Sequence, residues 1–243
     1  MKVTRLPKDP GPAGWNRLLP PPDPAEPLDG DATADWLVIG AGFAGLAAAR
    51  RLTQLCPGDR ITLLEAPRIG DGPAGRNSGF MIDLPHDLSS DGYSGGLERD
   101  LQQTEDNRRG IGFAREMAAD FGLSAEAFSQ PGKINAAATR AGNRHNRDFA
   151  RHLERMGEPH RLIDATEMQE LTGIDYYTSG LFTPGAALIQ PALFVRSVAK
   201  GLRSNGVTLH EMSPVTSLER KGDWVARTPG GVVTAPRVIL AVN

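Results

Sequence analysis

Six residues, Gly40-Ala41-Gly42-Phe43-Ala44-Gly45, have the types and spacing to grip a diphosphate with bare backbone. Gly40 permits a tight strand-to-helix turn, Gly42 lets a pyrophosphate approach the main chain, and Gly45 lets a helix sit close to a sheet. A helix starting here would offer unpaired N–H groups and the positive end of its dipole to phosphate. Glu65 lies about twenty residues beyond the last glycine, the spacing of a ribose-binding acid. Its carboxylate can accept hydrogen bonds from ribose hydroxyls and would repel a 2′-phosphate, which disfavours NADP.

The motif alone is weak in a chain with 28 glycines; its setting strengthens it. Asp35 to Ile39 reads as a short buried strand, Ala44 to Leu55 as a helix ended by Pro57-Gly58, and Ile61 to Glu65 as a second strand. Strand, glycine turn, helix and strand in this order make a right-handed parallel βαβ unit. That unit suits NAD and FAD alike. The glycine-rich loop that follows, Gly72 to Phe80, lies where a flavoenzyme brings polar groups to its cofactor, and it favours FAD.

Further along, residues 67–94 read as loop and Leu97 to Phe121 as a long polar helix. Gly132 to Thr139 reads as a strand, Asn143 to Met156 as a helix, and Asp164 to Leu171 as a short helix capped by Asp164. Leu181 to Ile189 reads as one strand and Pro191 to Ser204 as a helix begun by its proline. Val207–Glu211, Val215–Arg220, Trp224–Thr228 and Val232–Ala235 alternate apolar and polar residues and read as an antiparallel meander. One more buried strand starts at Arg237. Residues 1–34 form a Pro- and Asp-rich leader in which Trp15, Leu18 and Leu19 are candidate anchors.

The net charge of −2 gives no bulk electrostatic case for nucleic acid or an anionic membrane. One cysteine, Cys56, excludes an intrachain disulfide, and no apolar run matches a secretory signal or a bilayer span, so a cytoplasmic protein is expected. The five histidines show no metal spacing, and no metal is expected. His145 and His152 fall on a polar helix and are expected to face solvent. His86 follows the flavin loop and is a weak candidate for lining a substrate channel. Arg140, Arg144, Arg147, Arg151 and Arg155 read as a solvated helix face. Arg76 is a candidate for binding a phosphate or a substrate carboxylate, or for a loop-stabilising salt bridge, and Tyr176-Tyr177 for a cavity wall or the core.

The segments IGAGFAGLAAARRL, LLEAPRIGDGPAGRNSGF, IQPALFVRSVAKGLRSNGVTLHEMSPVTSLER and VILAVN resemble the FAD-dependent oxidoreductases of the D-amino acid oxidase superfamily, most of all the gamma-glutamylputrescine oxidase and glycine/sarcosine oxidase branch. The resemblance covers roughly residues 35–243. It implies an α/β fold, a Rossmann-like, glutathione-reductase-like FAD-binding domain with an inserted, mainly antiparallel α+β substrate domain. The implied division is a leader over 1–34, FAD-binding portions over 35–95 and 190–243, and an incomplete substrate portion over 96–189.

By position, the resemblance implies that Gly40, Gly42 and Gly45, with Ala41, Phe43 and Ala44 between them, hold the pyrophosphate. Glu65 and Ala66 would take the adenosine ribose, and Arg68 would lie near the adenosine half. Gly75, Arg76, Asn77, Ser78 and Gly79 would run along the flavin. Val215 would meet adenine through its backbone, and Ala241 and Val242 would face the pyrophosphate. Pro73-Ala74-Gly75 replaces the family's Ala-Ser-Gly, so one hydroxyl donor is missing.

The implied reaction is oxidation of an amine or amino acid C–N bond to an imine by hydride transfer to flavin N5. Oxygen or another acceptor would reoxidise the flavin. Such chemistry needs no obligatory acid or base, and no catalytic side chain is assigned. The family continues for well over a hundred residues past Asn243, so a partner chain supplying the C-terminal part is one expectation. The alternatives are a truncated FAD-binding chain without independent turnover, and a different flavoenzyme such as a monooxygenase needing NAD(P)H.

Overall fold

The computed structural model describes residues 2, 3, 5, 11, 13–85 and 96–242. His86 therefore lies outside the described residues. The chain divides into two compact units, one made of Met1–Gly79, Glu116–Ala127 and Gln190–Asn243, the other of Phe80–Arg115 and Phe128–Ile189.

In chain order, the first segment holds helix α1 (Gly14–Arg17), strands β1 (Ala32–Thr33) and β2 (Trp36–Ile39), helix α2 (Phe43–Leu55), strand β3 (Ile61–Leu64) and a single 3-10 turn, Pro73–Gly75. The middle holds β4 (Phe80–Met81), α3 (Leu97–Asp120), β5 (Phe128–Ser129), β6 (Lys133–Ala137), α4 (Arg140–Met156), β7 (Arg161–Ile163), α5 (Ala165–Thr172), β8 (Ser179–Thr183) and β9 (Ala187–Ile189). Then follow α6 (Pro191–Ser204), β10 (Thr208–His210), β11 (Ser217–Lys221), β12 (Asp223–Thr228), β13 (Gly231–Ala235) and β14 (Arg237–Leu240). Among the described residues no helix is long and apolar enough to cross a membrane.

The first unit is built on a parallel sheet ordered β10-β3-β2-β14. Val38, Leu63 and Leu37 are fully buried, as strands covered on both faces require. Helix α2 packs against β2 and β3, and α6 packs against α2 and β10. A second sheet, β1-β13-β12-β11, contributes Leu218, Ala226, Val233 and Ala235 to a core shared with Leu37 and Ile39. The result is three layers: helices, parallel sheet and meander.

In the other unit, α4 lays Phe149, Ala150, Leu153 and Met156 against Leu181 of the antiparallel sheet β6-β8-β7. The short sheet β4-β9-β5 belongs to the same unit. Thr139 caps α4 through its hydroxyl, which accepts from Gly142 N at 3.1 Å, and Asp164 caps α5 by accepting from Glu167 N at 2.9 Å.

Several expectations are corrected. The single strand over 181–189 is two, β8 and β9, with the break at Pro184-Gly185-Ala186. A proline there cannot donate to a ladder, and a side chain at Gly185 would collide with the Asp83 carboxylate. The segment 207–211 is not part of the meander: β10 pairs parallel with β3, because alternation identifies a strand but not its neighbour. The leader packs more than its composition suggested, since Leu28 is buried in the first unit's core and β1 adds to the β13 edge. His152 is buried, not solvent-facing; its Nε2 lies 2.8 Å from Asp100 Oδ2, and Arg155 approaches its Nδ1 at 3.0 Å. His145 is half-buried.

Candidate dinucleotide site

The first glycine turn follows β2 and opens α2. Gly40 has φ +102°, in the left-handed region, and its N–H donates to the Leu64 carbonyl at 2.8 Å. A side chain at Gly40 would collide with the Ala241 carbonyl, and one at Gly45 with the Gly40 carbonyl. The turn is thus closed too tightly for Cβ atoms at both ends. Ala241 is held beside it by its N–H, which donates to the Ile39 carbonyl at 2.8 Å. Gly42 differs: a Cβ there would meet only Ala74 Cβ, at 3.7 Å.

Gly42 is the N-cap of α2 and has no side chain to cap it; the first turn of the helix carries no acid. No acid of the helix itself occupies the N–H groups and dipole of this end. Phe43, at the first helical position, places its ring 6.1 Å from the ring of Phe194, while Ala44 is exposed.

Glu65 stands at the mouth of this turn. One carboxylate oxygen accepts from Ala41 N–H and the other from Ala66 N–H at 3.0 Å. The main chain fixes its place. Glu65 N–H donates to the His210 carbonyl at 2.8 Å, and the Glu65 carbonyl accepts from Ser213 N–H at 2.8 Å. Burial raises the Glu65 carboxyl above the usual carboxylate range. The two backbone N–H groups oppose that rise, and the nearby Glu211 charge adds to it.

A second turn has the same construction. Gly70 has φ +89°, and Gly72 has φ −78° and ψ −174°, close to the −78° and −172° of Gly42. Pro73–Gly75 follows as a 3-10 turn, and a side chain at Gly75 would collide with the Gly70 carbonyl, as at Gly45 and Gly40. The residues Gly70-Asp71-Gly72-Pro73-Ala74-Gly75 also read G-x-G-x-x-G. The sequence predicts loop over 67–94, with glycines at 70, 72 and 75. The spacing itself was the available signal.

The other assigned residues divide into two groups. Ala41, Ala66, Gly75 and Ala241 are brought to the two glycine turns with Gly40, Gly42, Gly45 and Glu65. Val215 lies two residues past Ser213 and packs against the sheet core. Arg68 is engaged elsewhere, with its Nε 3.4 Å from the buried Glu211 and its Nη2 donating to the Asp23 carbonyl. Arg76 donates to the backbone carbonyls of Asp71, at 2.6 Å, and Gly11, so it stabilises the loop through carbonyls, and among the described residues it makes no salt bridge. The Asn77 side chain closes its own turn, donating to the Ala74 carbonyl and accepting from Gly79 N–H, both at 2.9 Å. Ser78 is exposed.

A group carrying a diphosphate and a ribose fits these residues. The helix N-terminus is bare of capping side chains, Gly42 opens onto space bounded by Ala74, and an acid able to accept from hydroxyls stands beside the turn. Among the described residues at these turns there is no nucleophile with an adjacent base.

Comparison with known proteins follows the same line. The chain is 30% identical over 242 residues to a Rhizobium meliloti protein named "Probable oxidoreductase OrdL", covering 94% of this chain and 54% of that protein. It is 28% identical to the gamma-glutamylputrescine oxidoreductase of Escherichia coli, covering 90% of this chain and 51% of that one. Among solved structures, glycine oxidase from Geobacillus kaustophilus superposes with a TM-score of 0.68 at 20% identity, over 86% of this chain and 55% of that one. L-Amino acid deaminase from Proteus myxofaciens gives 0.69 at 18% identity, over 90% and 47%. At such identities the structural likeness is one of fold. The chain spans about half the length of the curated relatives it matches. Residues 35–243 match the family described as FAD dependent oxidoreductase, and the chain belongs to that family.

Proposed function

We propose that this chain forms the FAD-holding part of an oxidoreductase that converts the C–N bond of an amine or amino acid to an imine. The observation that carries the reading is the pairing of an uncapped glycine turn with Glu65 at its mouth. Gly40 to Gly45 hold the pyrophosphate through backbone N–H groups. Glu65, with Ala66, takes the adenosine ribose, and Val215 lies at the adenine end. Gly75, Arg76, Asn77, Ser78 and Gly79 run along the flavin, with Ala241 at the pyrophosphate. Arg68 shapes the adenosine end indirectly, through Glu211. When FAD is bound, the chemistry it supplies is acceptance of a hydride at N5 from the α-carbon of a neutral amine. The residues named here hold and orient, and none of them needs to move a proton.

The substrate class rests on the named relatives, a gamma-glutamylputrescine oxidoreductase and amino acid oxidases. We assign the cofactor to the unit containing the parallel sheet and a substrate-facing role to the unit built on β6-β8-β7. A second reading, a flavin-binding chain that turns over only with the further length its relatives carry, is favoured by the span of the match.

Reconstitution with FAD, followed by anaerobic addition of candidate amines and amino acids, tests both. Bleaching of the flavin band by an amine supports the first reading. A yellow protein that no amine bleaches supports the second. A chain that takes up no FAD sinks both, and bleaching by NAD(P)H alone would make it another flavoenzyme class.

A further inference from the structure

The two glycine turns share a geometry but not a support. The first is anchored by strand β2 before it and by the 13-residue helix α2 after it. The second, Gly70 to Gly75, has only a three-residue 3-10 turn behind it. So short a local element supplies few bonds against the conformational entropy lost in fixing its backbone. Something else must hold Gly70 at positive φ and Gly72 in its N-cap conformation.

The leader does so. Asn16 Nδ2 donates to the Gly70 carbonyl at 2.9 Å and to Asp71 Oδ1 at 2.7 Å. Trp15 Nε1 donates to the Asn77 carbonyl at 2.8 Å. Two adjacent residues of α1 therefore tie both ends of the second turn. Helix α1 is in turn fixed from α6, because Gln190 Nε2 donates to the Trp15 carbonyl at 3.1 Å. Further along the leader, Arg196 donates to the Pro20 carbonyl at 3.0 Å. All of these residues belong to one unit.

We propose that Trp15 and Asn16 are positioning residues that hold the 70–77 turn in its cofactor-receiving form, so that the leader governs how tightly FAD is retained. This rests on the cofactor reading given above. Neither residue need touch FAD: Asn16 acts through Gly70 and Asp71, and Trp15 through Asn77.

The test uses the full chain with Asn16→Ala and, separately, Trp15→Phe, which keeps an aromatic ring but removes the indole N–H donor. Flavin-free protein is followed by amide hydrogen exchange, and FAD binding by titration of flavin fluorescence. Trp15→Phe, which loses one hydrogen bond, is expected to raise the FAD Kd roughly three- to tenfold, and Asn16→Ala, which loses two, at least as much. Exchange should quicken over residues 70–77 while 40–45 keep their protection. A purely structural anchor would instead speed exchange across the whole unit. Folded variants that bind FAD as tightly as the unchanged chain would overturn the inference, as would an exchange increase spread evenly over the unit. If Asn16→Ala fails to fold, Trp15→Phe decides by the same two readouts. An unchanged chain that takes up no FAD would overturn the cofactor reading and this inference with it.

Discussion

The Glu65 carboxylate and the Ala41 N–H meet across the mouth of the first glycine turn, joining the end of β3 to the start of α2 by one hydrogen bond. That bond places an acid, raised by burial, beside the uncapped helix end. On the cofactor reading proposed above, a dinucleotide held by the turn would bring its ribose hydroxyls to the same acid. Glu65→Ala should therefore weaken FAD binding by about ten- to a hundredfold, the loss expected for one or two hydrogen bonds to a charged group. Titration of the variant with FAD checks this, and an unchanged Kd removes Glu65 from the site.

The same acid makes stability depend on pH. Its folded-state pKa is raised, so the folded, flavin-free chain holds the proton more tightly than the unfolded chain does. The contribution is present below the unfolded-state value and is lost as pH rises through the raised folded value. As pH rises through that window the flavin-free chain should lose stability relative to Glu65→Gln. A difference that is constant with pH would contradict the assignment.

Gly42 and Gly45 separate fold from binding. A methyl at Gly45 collides with the Gly40 carbonyl, so Gly45→Ala should destabilise the chain by several kcal/mol, at the large end of single substitutions. A methyl at Gly42 makes only an ordinary contact with Ala74. Gly42→Ala should fold with a near-normal melting temperature yet retain less FAD, because the methyl occupies the approach to the turn. Equal flavin content in Gly42→Ala and the unchanged chain would move the phosphate elsewhere.

Gln190 serves two elements: its Oε1 caps α6 by accepting from Leu193 N–H at 2.8 Å, and its Nε2 holds the Trp15 carbonyl. Gln190→Ala should cost about 1–2 kcal/mol, the range for a lost N-cap. Denaturant unfolding measures it.

In the other unit, His152 and Asp100 form a buried pair. His152→Leu removes the imidazole that meets Asp100 Oδ2 at 2.8 Å in the interior, a loss of about 1–3 kcal/mol for a buried polar contact. Replacing both by apolar residues should recover much of that, which a double-mutant cycle would show.

Much of the site was legible because its determinants are local. Gly40, Gly42 and Gly45 between a buried strand and a helical run, and an acid at the next strand's end, are adjacent in sequence and confined by backbone sterics. The second turn escaped notice because it lacks those flanking patterns, although its glycine spacing is the same. Arg68 and Arg76 were assigned by position alone, and position does not reveal that Glu211 and backbone carbonyls engage them.

The sequence by itself determined the βαβ unit, the helix from Pro191 to Ser204 and the Asp164 cap, because turn chemistry, capping and hydrophobic period act over a few residues. Only the tertiary structure decided that β10 joins the parallel sheet, that His152 turns inward to Asp100, and that Trp15 and Asn16 clasp the second turn. Those choices pair groups dozens of residues apart, and a local pattern fixes what an element is without fixing which distant surface it meets.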